Sequence, residues 1–120
     1  MILTRRFRFE AAHRLPGYDG PCRNPHGHSY KLHVSVRGPV GPGSGMVVDF
    51  HEVERIVGET VLSGLDHRDL NECLENPTAE NLAVWIWDRL KRSLPGLHEI
   101  RLEETENCSV TYGGEDRPAR

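Results

Sequence analysis

Three cysteines are all that the 120 residues contain. So small and odd a number excludes a closed disulfide framework and fits reduced thiols in a cytoplasmic protein. Long apolar runs are missing too: none approaches the ~20 residues that cross a bilayer, so no membrane role is expected. The opening MILTRRFRFEAAH alternates apolar with charged residues and lacks the continuous apolar centre of a secretory signal. Basic charge is not in excess. A net charge of −3 and a pI near 6.1 give no bulk attraction to nucleic acid or anionic lipid. Repeats, heptads and the G-x-G-x-x-G fingerprint of dinucleotide binding are also absent. One stretch is compositionally biased, Gly38-Pro39-Val40-Gly41-Pro42-Gly43-Ser44-Gly45, and it reads as a loop between strands.

What is present is ordinary globular material, 37 % apolar and 28 % charged, which fits one domain over residues 1–120 with a modest core. Residues 2–13 read as a strand, with Leu3, Phe7, Phe9 and Ala11 on one parity and Thr4, Arg6, Arg8 and Glu10 on the other. Residues 30–37 repeat this, Tyr30, Leu32, Val34 and Val36 opposing Lys31, His33, Ser35 and Arg37. A helix is predicted over 49–62. Asp49 is its cap, Glu52 occupies the capping-box position, and Val53, Ile56, Val57, Thr60 and Val61 form the buried stripe. A second helix over 78–93 has Thr78 as its cap and Leu82, Trp85, Ile86 and Leu90 on one face, with Trp87 on the flank; Pro95-Gly96 stops it. Residues 98–105 return to a strand with Ile100 and Leu102 inward and Glu104 in their phase. A short strand from Cys108 through Val110 to Tyr112 follows, and the tail Gly113–Arg120 is expected to fray. The order predicts an α+β domain: a four-stranded antiparallel sheet with two helices on one face.

The chemistry concentrates in His13 and the run Cys22-Arg23-Asn24-Pro25-His26-Gly27-His28. His13 is in phase with the apolar set of the first strand, and His26 and His28 with that of the second. Unless a strand bulges, all three face the buried side at strand ends and can reach one ion. Three neutral imidazoles are one ligand set of a catalytic zinc ion, which leaves a fourth position for water or substrate. Gly27 leaves room between two of them. Cys22 has two readings: a base or nucleophile, since a thiol near a cation ionises more easily, or a fourth ligand closing a structural zinc site. Asp66-His67 follows the first helix in a polar turn. Histidine can accept and return the protons such a thiol moves, and the acid can hold its tautomer. Glu104, inward by parity, is a buried acid that needs a cationic or donor-rich partner. Cys73 and Cys108 have no metal-like neighbours in sequence, and His33, His51 and His98 are expected to face solvent.

The pattern resembles the 6-pyruvoyltetrahydropterin synthase family, and within it the 6-carboxytetrahydropterin synthase branch of queuosine biosynthesis. The matching stretches are FEAAHRL (9–15), CRNPHGHSY (22–30), GMVVDFHEV (45–53), LDHRDLN (65–71), NPTAEN (76–81) and ETENCSVTY (104–112), in the family's order over nearly the whole chain. The three-residue gap between Cys22 and His26 is similar to the carboxytetrahydropterin branch; animal pyruvoyl enzymes typically carry a longer one. Glu54 departs from relatives that often have lysine there.

The resemblance implies a tunnelling fold (T-fold), with trimers closing into a barrel, two trimers stacking into a homohexamer, and active sites between subunits. It implies zinc as cofactor on His13, His26 and His28, and 7,8-dihydroneopterin triphosphate as substrate. The products would be 6-carboxy-5,6,7,8-tetrahydropterin, acetaldehyde and triphosphate. Cys22, Asp66 and His67 would be the catalytic residues and Glu104 the grip on the pterin ring. No nicotinamide is needed, because the redox change is internal. The triphosphate needs a cationic partner, and Arg14, Arg23 and Lys31 are all open for it. Two alternatives stand beside this: a 6-pyruvoyltetrahydropterin synthase, and a zinc-stabilised binding module without catalysis.

Overall fold

Alternating side chains decide the sheet. In the computed structural model, which describes residues 1–115, β1 (Ile2–His13) and β2 (His26–Arg37) pair antiparallel in unbroken register from Ile2 opposite Arg37 to His13 opposite His26. Phe9, Ala11 and His13 are buried on one face of β1, as are Tyr30, Leu32, Val34 and Val36 on the matching face of β2. Phe9 and Tyr30 stand directly opposite each other, their rings stacked at 4.8 Å. Such a pair adds about 1 kcal/mol beyond its burial, and it fixes Tyr30 beneath the histidine end of the sheet.

The first helix begins at α1 (Phe50–Val57) under the Asp49 cap, whose carboxylate accepts the His51 N–H at 2.8 Å. The capping box does not close, because Glu52 turns to Arg55 instead. The helix does not stop at residue 62. A wider π turn over Gly58–Leu62 leads into α2 (Ser63–Leu65). Val53, Ile56, Val57 and Val61 are buried as expected, while Thr60 is half-buried and spends its hydroxyl on the Ile56 carbonyl. Glu54 pairs with Arg5 of β1 at 2.8 Å, tying helix to sheet.

After α2 comes β3 (Arg68–Asp69), which runs parallel to β1 beside Ala11 and Ala12. Then follow α3 (Ala79–Lys91), β4 (Leu97–Thr105) and β5 (Cys108–Tyr112). The sheet order is β3-β1-β2-β4-β5, so the sheet has five strands and is mixed, not the four-stranded antiparallel sheet predicted. A strand of two residues carries no periodicity to read.

A further correction concerns α3. Trp87, not Trp85, is the buried tryptophan, 7 % exposed and edge-on to Tyr112. Its position, four residues after buried Ala83, widens the helix stripe toward β5. Gly114 presses its backbone onto that ring: at φ +92 a Cβ there would lie 2.7 Å from Trp87. Trp85 is half-buried, with the Arg89 guanidinium 4.1 Å above its ring. Of the expected frayed tail, residues 116–120 lie outside the described residues. No helix among the described residues is long and apolar enough to cross a membrane.

Candidate metal centre

Cross-strand register brings the three predicted ligands together. His13 faces His26 directly across the β1–β2 pair and His28 is the diagonal neighbour. Ring centroids are 4.6, 5.0 and 4.8 Å apart, and one nitrogen of each ring lies within 4.8 Å of the others. His13 is only 2 % exposed, the one fully buried polar side chain among the described residues. Its Nδ1 lies 2.8 Å from the Pro77 carbonyl and 3.4 Å from the Tyr30 hydroxyl. The Nδ1 of His26 lies 2.8 Å from the Asn24 carbonyl. Asn24 is extended, the conformation its following proline favours, and this aims that carbonyl back at the ring.

A carbonyl only accepts, so Nδ1 is the donor in both rings, and each ring in its neutral form presents a bare lone pair at Nε2. The two Nε2 atoms face each other at 3.0 Å. Two neutral rings in that pose repel, and either a shared proton or a metal cation between them relieves it. Two nitrogens bound tetrahedrally at about 2.0–2.1 Å to one zinc ion stand roughly 3.3 Å apart, close to the spacing found.

His28 supplies the second sign of a cation site. Its Nε2 is buried with no hydrogen-bond partner. Glu104 Oε1 lies 3.6 Å from it, within ion-pair reach but too long for a hydrogen bond. Burial pushes the His28 pKa down, the Glu104 carboxylate pulls it up, and His13 and His26 push it down again. The net effect is downward and favours the neutral ring, which is the form that ligates.

Glu104 lies on the inward parity of β4, beside the register shift in the β4–β5 pair, and its carboxylate is not part of the three-histidine group. Two clefts flank His28. One, about 530 Å³, is lined by Ala11, Gly27 and His67; the other, about 390 Å³, by Glu104, Lys31 and Arg8. Gly27 borders both. A Cβ there would meet only the Ala11 carbonyl, at an ordinary 3.7 Å, so the glycine matters to the clefts and not to the fold.

Asp66 and His67 are stapled to β1. The Asp66 carboxylate accepts the Glu10 N–H at 3.0 Å, while the His67 N–H donates to the Glu10 carbonyl at 2.6 Å. His67 makes this turn with φ 60, and its ring, 3.0 Å from the Asp66 carboxylate, is 77 % exposed. Cys22 lies in a 3-10 turn over Pro21–Arg23 and is half-buried. Its sulfur is not among the atoms clustered with the histidines. The chain brings the three predicted ligands together, while no hydrogen bond or ion pair among the described residues links Cys22 to Asp66 or His67.

The Glu10 N–H, aided by His67 and opposed by burial, holds the Asp66 carboxyl below its ordinary value of 3.8. A depressed carboxylate adds stability above the unfolded value and loses it as pH falls through the lower folded one. Asp66→Asn keeps an oxygen for the Glu10 N–H and drops the charge. The wild type should therefore melt above the variant at neutral pH, and the gap should close in acid below pH 3.8. A gap that stays constant with pH would remove this account of Asp66.

Sequence reasoning missed the backbone partners of His13 and His26. The only textual trace of them is the pair of Asn-Pro steps, 24–25 and 76–77. It also misplaced His33, which is half-buried and 3.0 Å from Glu103. Among the remaining expectations, His51 is exposed, His98 is intermediate, and Cys108 is exposed.

Comparison with known proteins fixes the fold and the class. The solved structure of Caenorhabditis elegans 6-pyruvoyl tetrahydropterin synthase matches with a TM-score of 0.86 at 33 % identity, over 96 % of each chain. The architecture is thus an α+β T-fold. The family model described as 6-pyruvoyl tetrahydropterin synthase matches residues 2–115, and the chain belongs to that family of pterin synthases. A 6-carboxy-5,6,7,8-tetrahydropterin synthase from Synechocystis is 39 % identical over 118 residues, 92 % of this chain and 92 % of the relative. A 6-pyruvoyl tetrahydrobiopterin synthase from Poecilia reticulata is 37 % identical over 132 residues, 94 % of this chain and 90 % of the relative.

Proposed function

We propose that this protein converts 7,8-dihydroneopterin triphosphate and water to 6-carboxy-5,6,7,8-tetrahydropterin, acetaldehyde and triphosphate, the carboxytetrahydropterin step of queuosine biosynthesis, in the cytoplasm. The observation that carries the reading is the convergence of three ring nitrogens, two of them facing each other at 3.0 Å and the third an orphan. A zinc ion held by His13, His26 and His28 would supply Lewis acidity toward the side-chain oxygens of the substrate. Cys22 is the general base that moves the side-chain protons, and Asp66 with His67 passes them on. Glu104 accepts two hydrogen bonds from the donor edge of the pterin ring, a contact selective for that heterocycle. Cys22 has no link to Asp66 and His67 within one chain. An active site shared between neighbouring subunits, in a hexamer built as a dimer of trimers, accommodates that separation. The open flank of β1, paired with β3 only at Ala11 and Ala12, also fits a chain that lends its sheet edge to a partner.

The competing reading is 6-pyruvoyltetrahydropterin synthase, which eliminates the same triphosphate and keeps the three-carbon side chain. Relatives with that name match as well as the carboxy-named one. Length favours the carboxy branch. The alignment to the Poecilia reticulata protein needs 132 positions against the 120 residues of this chain, so that relative carries insertions, while the Synechocystis alignment needs 118. Incubation of the purified zinc-loaded protein with 7,8-dihydroneopterin triphosphate should release acetaldehyde and triphosphate in equal amounts. Triphosphate without acetaldehyde would assign the pyruvoyl reaction. Unchanged substrate, with zinc bound and needed only for folding, would leave a binding module.

A further inference from the structure

The sequence Asn76-Pro77-Thr78-Ala79-Glu80-Asn81 does more than start α3. Thr78 caps the helix by accepting the Asn81 N–H at 3.1 Å, an ordinary task for a threonine there. Two other bonds have no part in capping. The Thr78 N–H donates to the Asn76 carbonyl at 2.9 Å, closing a tight turn around Pro77, and the Asn81 side-chain amide donates to the same carbonyl at 2.9 Å. The Thr78 N–H and the Pro77 carbonyl belong to one peptide plane and point in opposite directions across a trans bond. Fixing the N–H on Asn76 therefore fixes where the Pro77 carbonyl points, and it points at His13 Nδ1, 2.8 Å away.

We propose that Asn81 is a positioning residue for the metal centre: through the Asn76–Thr78 turn it aims the Pro77 carbonyl at His13 and sets the tautomer that leaves Nε2 free to ligate. The connection is geometric: the Asn81 amide and the Thr78 N–H both donate to the Asn76 carbonyl, so Asn81 holds that oxygen in place, and the Thr78 peptide bonded to it turns the Pro77 carbonyl toward His13. Donation by the Thr78 N–H also polarises its own peptide and strengthens the Pro77 carbonyl as an acceptor. Free imidazole has no such constraint. In the absence of the turn, His13 could place its proton on Nε2, turning a ligand atom into a donor aimed at His26. The Tyr30 hydroxyl, at 3.4 Å, is the weaker neighbour of Nδ1 and is not the group that decides. Outer partners of metal-bound histidine are known to act this way in general. The proposal rests on the metal reading of the three histidines and is independent of which pterin product forms.

The test uses zinc and the full chain, without any turnover assay. Zinc affinity is measured by competition with a chromogenic chelator, and the His13 tautomer in zinc-free protein by ring-nitrogen NMR. Asn81→Ala should weaken zinc by about tenfold, the low end for loss of an outer partner. Asn81→Asp, isosteric but acceptor-only against the Asn76 carbonyl, should weaken it at least as much, and it stands in if the alanine variant folds poorly. Both should move the His13 proton off Nδ1. Ile86→Val, which loosens α3 from its core without touching the turn, should lower Tm and leave affinity within about twofold, and so should Tyr30→Phe. Unchanged affinity in both Asn81 variants, or weakened affinity with the His13 tautomer intact, would overturn the proposal. So would a loss that Tyr30→Phe reproduces. If the wild type takes up no zinc at all, the metal reading itself fails, and this inference goes with it.

Discussion

Replacing His28 by alanine should remove the metal and the turnover together, while leaving the metal-free protein as stable as before or slightly more so. The two halves of this expectation have different causes. With His28 gone, two ligands remain where three converged, and a two-histidine site does not retain zinc through dialysis. Turnover should fall by about a thousandfold or more, some 4 kcal/mol of barrier. Zinc also stabilises whatever folded state binds it. At a free concentration about a hundred times Kd the gain is about 2.7 kcal/mol, and the variant should forfeit it, so zinc addition should raise Tm in the wild type only. The metal-free comparison runs the other way. His28 Nε2 is buried without a hydrogen bond, and an unsatisfied buried polar atom costs about 1–3 kcal/mol. Alanine removes that cost along with some packing, so the apo forms should melt close together. Metal analysis and paired melting curves with and without zinc decide it. A His28→Ala protein that keeps one zinc per chain, or an apo form far less stable than apo wild type, would mean that the ring serves the fold and not an ion.

That site was legible in the sequence because parity is a local rule and the strands obey it without interruption. The β1–β2 register holds from Ile2 to His13 with no bulge, so apolar residues that mark the buried face also carry His13, His26 and His28 onto it. Glu104 shares the inward parity of Ile100 and Leu102 although β4 is irregular there: the shift against β5 falls at Glu104 itself, between Glu103 and Thr105, while the β2 pairing stays regular from Glu99 to Glu103. What was not legible was set by contacts across the fold. The strand β3 exists because Asp66 and His67 bond to Glu10, far off in the chain, and no pattern in Arg68-Asp69 announces it. Trp85 and Trp87 are both plausible on a helical wheel, and the position of β5 chose between them. The π turn over Gly58–Leu62 changes the pitch of the first helix without any glycine or proline signature beyond Gly58 itself. The partners of His13 and His26 were the hardest to foresee, because they are backbone carbonyls of Pro77 and Asn24, and a carbonyl has no letter in the sequence.

Cys22→Ala should give the opposite pattern to His28→Ala: zinc retained in full and turnover lost. The cysteine sits in its own 3-10 turn, held by the backbone bond from the Leu15 N–H to the Cys22 carbonyl at 2.8 Å, a bond that survives truncation of the side chain. Its sulfur is not among the clustered ligand atoms, so the alanine variant keeps all three imidazoles and both carbonyls that orient them. Zinc content and affinity should match the wild type. Removal of a general base typically costs about 10²–10⁴-fold in rate, and that is the loss expected in kcat, with KM little changed because the pterin grip is assigned to Glu104. Cys22→Ser sharpens the test. It restores nearly the same volume and a hydroxyl in place of the thiol. A hydroxyl is a far poorer proton acceptor, so serine should recover little of the rate if proton transfer is the task, and much of it if the side chain merely fills space. Zinc loss on either substitution would instead identify Cys22 as a fourth ligand. The cation would then have no open position for substrate oxygen, and a structural zinc site would replace the catalytic one.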